Sequence, residues 1–186
     1  WDSLTQFSVW IEPTLINEWS SLMASYTRNK AQQFSKLDYL KALNWEDPER
    51  TTARIRNRVN HLLGNEDVAC CWTGKRLKHS AYAIDHAFPF ARWPNNDLWN
   101  LLPTTAKINA DKSDKLPTGL KLSSSREFIV SWWKQGWQHN QQEFFTQANL
   151  ALPSLRPDNT NFDDVFEAFA LQRDRIKALQ QLEDWR

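Results

Sequence analysis

The sequence predicts an α+β fold, mostly helical, in which a strand, strand, helix core is flanked by helices from both termini. Three observations predict it. Apolar residues recur at helical spacing up to Leu62 and again beyond Ser125. From 65 to 117 that periodicity gives way to short apolar runs punctuated by Pro89, Pro94, Pro103 and Pro117. Eleven Trp stand against four Gly in 186 residues, which favours packed helices over a turn-rich β fold.

From Leu4 to about Met23, the set Phe7, Trp10, Ile11, Leu15, Trp19 and Leu22 reads as two short helices, because Pro13 breaks or begins a helix. Residues about 30 to 43 repeat the pattern with Phe34, Leu37, Leu40 and Leu43, and Asp47-Pro48 marks a turn. Thr51 or Thr52 can cap the next helix, which turns Ile55, Val59 and Leu62 inward and ends at Gly64. That helix sets Arg50, Arg54 and Arg58 on one face. The face is either a basic ridge or, more ordinarily, a solvated surface paired with Glu46, Asp47 and Glu49. Beyond the core, Ser125 to about Gln138 and Gln141 to Leu150 read as helices. Asn161 then caps a long one with Phe162, Val165, Phe166, Phe169, Ile176, Leu179 and Leu182 on one side. Its early Asp163, Asp164 and Glu167 and late Arg173, Arg175 and Lys177 suit the helix dipole. The organisation is an N-terminal helical flank (1–64), a core (65–120) and a C-terminal helical flank (121–186), forming one compact unit. The opening Trp-Asp-Ser-Leu, without Met, adds the expectation of a module from a longer protein.

Charge and hydropathy narrow the classes. A formal net charge of +1 excludes a polycationic surface, so any nucleic-acid contact comes from a local basic patch. Mean hydropathy is −0.67, and no stretch approaches the roughly 20 apolar residues of a membrane span. Cys70 and Cys71 are adjacent. Two neighbouring thiols build neither a disulfide framework nor a four-thiolate zinc site, and the expectation is a reducing, cytoplasmic setting.

The segment 70–117 carries the chemistry. Ala83-Ile84-Asp85-His86 ends a predicted strand, Trp99-Asn100-Leu101-Leu102 begins a second, and Lys107-Ile108-Asn109-Ala110-Asp111-Lys112 lies on a predicted helix. Neighbouring side chains on a strand point to opposite faces, so Asp85 and His86 can take separate tasks. Phosphodiester hydrolysis needs a base to activate water and a cation to neutralise charge on the phosphate and leaving oxygen. Asp85 supplies a carboxylate and Asn109 an amide oxygen, a sparse hard-ligand pair suited to Mg²⁺. Neutral His86 would be the base.

These residues resemble the HNH endonucleases, the ββα-metal fold, and especially the variant with Asn as third motif residue found in the HNH domain of CRISPR effector nucleases. The resemblance rests on Thr73-Gly74, Asp85-His86 with Pro89, Asn100 before Leu101-Leu102, and Asn109 with Lys112, followed by Ser113-Asp114-Lys115-Leu116-Pro117. It implies a one-metal endonuclease in which His86 activates the attacking water while Asp85 and Asn109 bind Mg²⁺, with Mn²⁺ as a substitute. Asn100 would serve the catalytic constellation by hydrogen-bonding the loop that orients His86. Lys112 would lie near the phosphate, and Lys107 and Arg92 are further nucleic-acid contacts. Many relatives add two Cys-x-x-Cys pairs that bind a structural zinc. Here Cys70-Cys71 stands at the first place and Thr104 to Lys107 at the second, so no structural zinc is expected. The resemblance further implies DNA as partner, with RNA left open, and the missing Met and helical wrapping add the expectation of a nuclease module within a larger bacterial antiviral defence or DNA-processing protein. The rival is a non-catalytic nucleic-acid-binding or assembly module using the Arg50, Arg54, Arg58 ridge.

The remaining polar and aromatic features carry blander readings. His79 fits a surface or supporting role on the first strand, and His61 and His139 have no metal spacing. Trp93, Trp99, Trp132, Trp133 and Trp137 could stack on unpaired bases, but packing is the commoner use of Trp. Lys75, Arg76 and Lys78 read equally as a backbone contact or a solvated turn.

Overall fold

The computed structural model describes residues 2–26, 35–43, 49–79, 81–155 and 161–186, and the chain divides into two compact units, residues 1–47 and 48–186. In the first unit, α1 (Asp2–Ser25) packs against α2 (Lys36–Leu43). The sequence reading has two short helices where α1 is one, because Pro13 sits inside it. Pro13 is exposed, and the helix continues while forgoing the bond that the missing N–H cannot make. Phe34, Glu46, Asp47, Pro48 and the side chains of Phe7 and Trp10 lie outside the described residues.

The second unit is built on the hairpin of β1 (Tyr82–His86) and β2 (Leu101–Thr105), which pair antiparallel with Asp85 opposite Leu102 and His86 opposite Leu101. Trp99 and Asn100 form the turn that enters β2. Pro103 lies within β2, opposite Ile84, and does not end it. In a two-stranded sheet a proline is tolerated on an edge strand, and the Pro103 carbonyl accepts the Cys71 N–H. β2 runs directly into α4 (Ala106–Lys112), with the Thr105 hydroxyl capping the Ile108 N–H. The order along the chain is therefore strand, strand, helix, with the second strand and the helix continuous.

Helices close around this run. α3 (Ala53–Leu63), grouped by sequence with the N-terminal flank, contributes Ile55, Val59 and Leu62 to the core of the second unit. After β3 (Leu116–Pro117) and α5 (Gly119–Ser124), α6 (Arg126–Trp137) delivers the buried Trp132, Trp133 and Trp137. A 3₁₀ turn leads into α7 (Gln141–Ala151), and α8 (Phe162–Gln180) begins with a capping box in which Asn161 and Asp164 satisfy each other's backbone N–H. Phe162, Val165, Phe166, Phe169 and Ile176 are buried as the periodicity predicts. Leu179 is instead 77% exposed near the helix end, and Leu182 is buried beyond it. The late basic residues of α8 act on the returning chain: Arg173 and Lys177 both pair with Asp184, drawing β4 (Asp184–Trp185) parallel to β3.

The tryptophans of the second unit are packing residues. Phe88, Trp93, Trp99, Trp133 and Phe169 form one aromatic cluster, with Phe88 and Phe169 centroids 4.5 Å apart. It fastens the chain leaving β1 to α8. No described helix is long and apolar enough to cross a membrane.

Candidate active site

At the end of β1 lies a cavity of about 390 Å³ lined by residues that include Arg50, Asp85, His86, Asn109, Ser113 and Asp114. β1 supplies Asp85 and His86, and α4 supplies Asn109. The direct passage from β2 into α4 is what brings the helix against β1.

Asp85 is almost completely buried, and both of its oxygens have partners. Trp72 Nε1 donates to Oδ2 at 2.8 Å and Lys112 Nζ to Oδ1 at 3.0 Å. Burial lifts the carboxyl above its ordinary pKa, and the Lys112 ammonium, the Trp72 indole and the Arg50 charge only partly oppose that. Trp72 is itself held from the C-terminal end, edge-on against Trp185 at 5.3 Å, with its carbonyl accepting from Lys121 Nζ.

Lys112 is fully buried, and its ammonium donates to Asp85 Oδ1 and to the His86 carbonyl at 2.7 Å. Its position at the C-terminal end of a short helix lying against β1 turns the long side chain under the site. Lys107 and Arg92 are exposed. His79 is exposed in a turn ahead of β1, and Arg76 pairs with Asp67.

His86 is 2% exposed. Its Nε2 lies 3.1 Å from Asn96 Oδ1, its ring meets Phe90 edge-on at 5.1 Å, and its Nδ1 is buried with no hydrogen-bond partner among the described residues. Burial lowers its pKa to about 4, against the bond to Asn96 and with the help of the Arg50 and Lys112 charges. The imidazole is thus neutral at physiological pH. Asn100 accepts the Phe88 N–H at 2.9 Å and donates to the Asn95 carbonyl at 3.0 Å, pinning the two ends of the loop that follows His86.

The basic ridge is dispersed. Arg50 precedes α3, whose N-cap is Thr52, so it shares no helix face with Arg54 and Arg58. Arg54 pairs with Glu143, and Arg58 donates to the Gly136 and Gln135 carbonyls. Arg50 sits exposed at the rim of the cavity. Sequence reasoning missed Trp72 and Asn96 altogether and assigned Arg50 to the wrong surface. No local signal marks any of the three, since each reaches the site through tertiary contacts.

Residues 70–118 match the family model described as HNH endonuclease. This stretch is of the HNH type. Residues 1–43 match a second model, described as a domain of unknown function (DUF8808). No curated protein and no solved structure matches the chain. The HNH stretch spans β1, β2, α4 and β3, and so contains Asp85, His86, Asn100 and Asn109. Arg50 lies outside it, and Asn96 lies inside it without belonging to the motif.

Proposed function

We propose that the chain is a metal-dependent endonuclease that hydrolyses DNA phosphodiester bonds. The observation that carries this reading is the convergence on one cavity of a carboxylate, an amide and a guanidinium with a neutral imidazole whose Nδ1 has no partner. A buried nitrogen left unpaired is costly, so a water or reacting group is its expected partner.

Asp85 and Asn109 are hard oxygen donors that both line the cavity, and a carboxylate oxygen with one partner keeps a lone pair, so the pair fits Mg²⁺ or Mn²⁺ completed by waters and phosphate. When bound there, the cation supplies neutralisation of charge on the phosphate and leaving oxygen. The protein's own groups do the rest. His86 takes the proton of the attacking water. Arg50 pairs with a non-bridging phosphate oxygen from the rim, which suits its planar donor fork. Lys112 favours the ionised form of Asp85 against its burial and orients the carboxylate. Lys107 and Arg92 remain exposed candidates for neighbouring phosphates. The resemblance to HNH modules of bacterial defence nucleases supports a role of that kind in a cytoplasmic setting, with DNA preferred to RNA.

Nicking of supercoiled plasmid, titrated with Mg²⁺ and Mn²⁺ and repeated in EDTA, tests the proposal. Wild type should cut only with a divalent metal. Asp85→Ala and Asn109→Ala should need more metal, and Arg50→Ala should lose about 1.5–3 kcal/mol of substrate interaction. No cleavage with any divalent metal would favour a non-catalytic binding module.

A further inference from the structure

Asn96 lies in the loop between β1 and β2, and its amide orientation is determined by its partners. Oδ1 accepts the backbone N–H of Thr51 at 3.3 Å, and Nδ2 donates to the carbonyl of Glu49 at 2.9 Å. Flipping the amide would set donor against donor and acceptor against acceptor. Oδ1 is therefore the atom that faces His86 Nε2 at 3.1 Å. A neutral imidazole carries one N–H, and a carbonyl oxygen can only accept. The contact is a hydrogen bond only if the proton sits on Nε2. Nδ1 is then a bare lone pair, buried and without a partner among the described residues, on a side chain that lines the cavity.

We infer that Asn96 is a positioning residue that holds the His86 proton on Nε2 and so makes Nδ1 the nitrogen that receives a proton from water. The inference rests on the hydrolytic reading above and sharpens it to one atom. The water proton passes to Nδ1, and the water oxygen's electron pair forms the new bond to phosphorus. The ester oxygen leaves with the pair of the broken P–O bond and takes a proton from solvent. The same amide has a second consequence. Glu49 and Thr51 flank Arg50, so Asn96 ties down the backbone on both sides of the rim guanidinium. One side chain thus registers the base against the phosphate-binding arginine.

The test reads the tautomer directly. In the 186-residue chain with isotope-labelled histidine, above neutral pH and in EDTA, the imidazole nitrogens are resolved by NMR, with His86→Gln assigning the signal. Wild type should show His86 protonated on Nε2 alone. Asn96→Ala should show protons shared between the two nitrogens, while Asn96→Asp, which keeps an acceptor, should retain the Nε2 form. Nicking at saturating Mg²⁺ should fall by about 10²-fold or more in Asn96→Ala, the scale of a misplaced general base, with metal affinity unchanged. A wild-type Nδ1–H signal would overturn the inference by itself, whatever the stability of the variants, and so would a pure Nε2–H signal in folded Asn96→Ala. Absence of cleavage by wild type would instead count against the hydrolytic reading and leave the tautomer result standing on its own.

Discussion

Two polar clusters lean on the same hairpin and have opposite fates. On one side, Cys70 Sγ lies 3.2 Å from Thr104 Oγ1 in a dry knuckle. Burial alone raises the Cys70 thiol, but hydrogen bonds to Thr104, Thr73 and the backbone of Thr105 and Trp72 bring it below its ordinary pKa. Its turn is closed by Gly74 at φ 68, where a Cβ would meet the Phe128 ring at 2.5 Å. The other cluster, at the end of β1, opens on a cavity and leaves His86 Nδ1 without a partner. Polar groups buried with each other make structure. A polar group buried alone is a cost the fold carries, and Trp137 Nε1 and Asn149 Oδ1 share that cost; His86 Nδ1 differs in belonging to a side chain that lines a cavity with Asp85, Asn109 and Arg50.

The sharpest way to break this comparison is to orphan a group that is now paired. Lys112→Met leaves Asp85 buried with its counter-charge gone, and should cost about 3–5 kcal/mol in urea unfolding with EDTA present. A loss under about 1 kcal/mol would mean that Asp85 is not held as an ion pair. At the knuckle, Thr104→Val removes the partner of a thiol and should cost about 1–3 kcal/mol. Because hydroxyls and one thiol hold the knuckle together, the dialysed protein should carry no stoichiometric zinc by elemental analysis. One zinc per chain would contradict that account.

A pH series sharpens the cavity side. In the unfolded chain His86 titrates near its ordinary 6.5, whereas in the fold burial takes it to about 4. The unfolded state then binds more protons between these values, so stability contributed by the neutral imidazole is complete above 6.5 and is lost as pH falls through about 4. In EDTA, wild type should lose urea resistance relative to His86→Gln across that window. Parallel pH profiles would place the imidazole in contact with water instead.

How much of this was legible depended on whether the determining contact was local. Asp85, His86 and Asn109 fall within 25 residues on a strand and the helix after it, so local spacing together with the resemblance to HNH endonucleases brought them together. Arg50 was misassigned because the helical spacing was extended back past a helix that begins at Ala53. Lys112 shares a helix with Asn109, and i, i+3 spacing put both on one face. What spacing does not contain is the side of α4 that β1 covers, and that contact buries the ammonium. Asn96 depends on carbonyl and amide groups 45 and 47 residues away, for which no sequence rule exists. Pro13 and Leu179 failed for the opposite reason: local rules were applied where an exposed surface tolerates their violation.

The central claim is that His86 acts on water and leaves the metal to Asp85 and Asn109. It is tested most directly by His86→Ala, with plasmid nicking across a Mg²⁺ titration and with metal and DNA binding measured on the same protein. The account predicts cleavage reduced by about 10²–10⁴-fold at every Mg²⁺ concentration, with both affinities unchanged. Full activity in His86→Ala, or its rescue by added Mg²⁺, would contradict it.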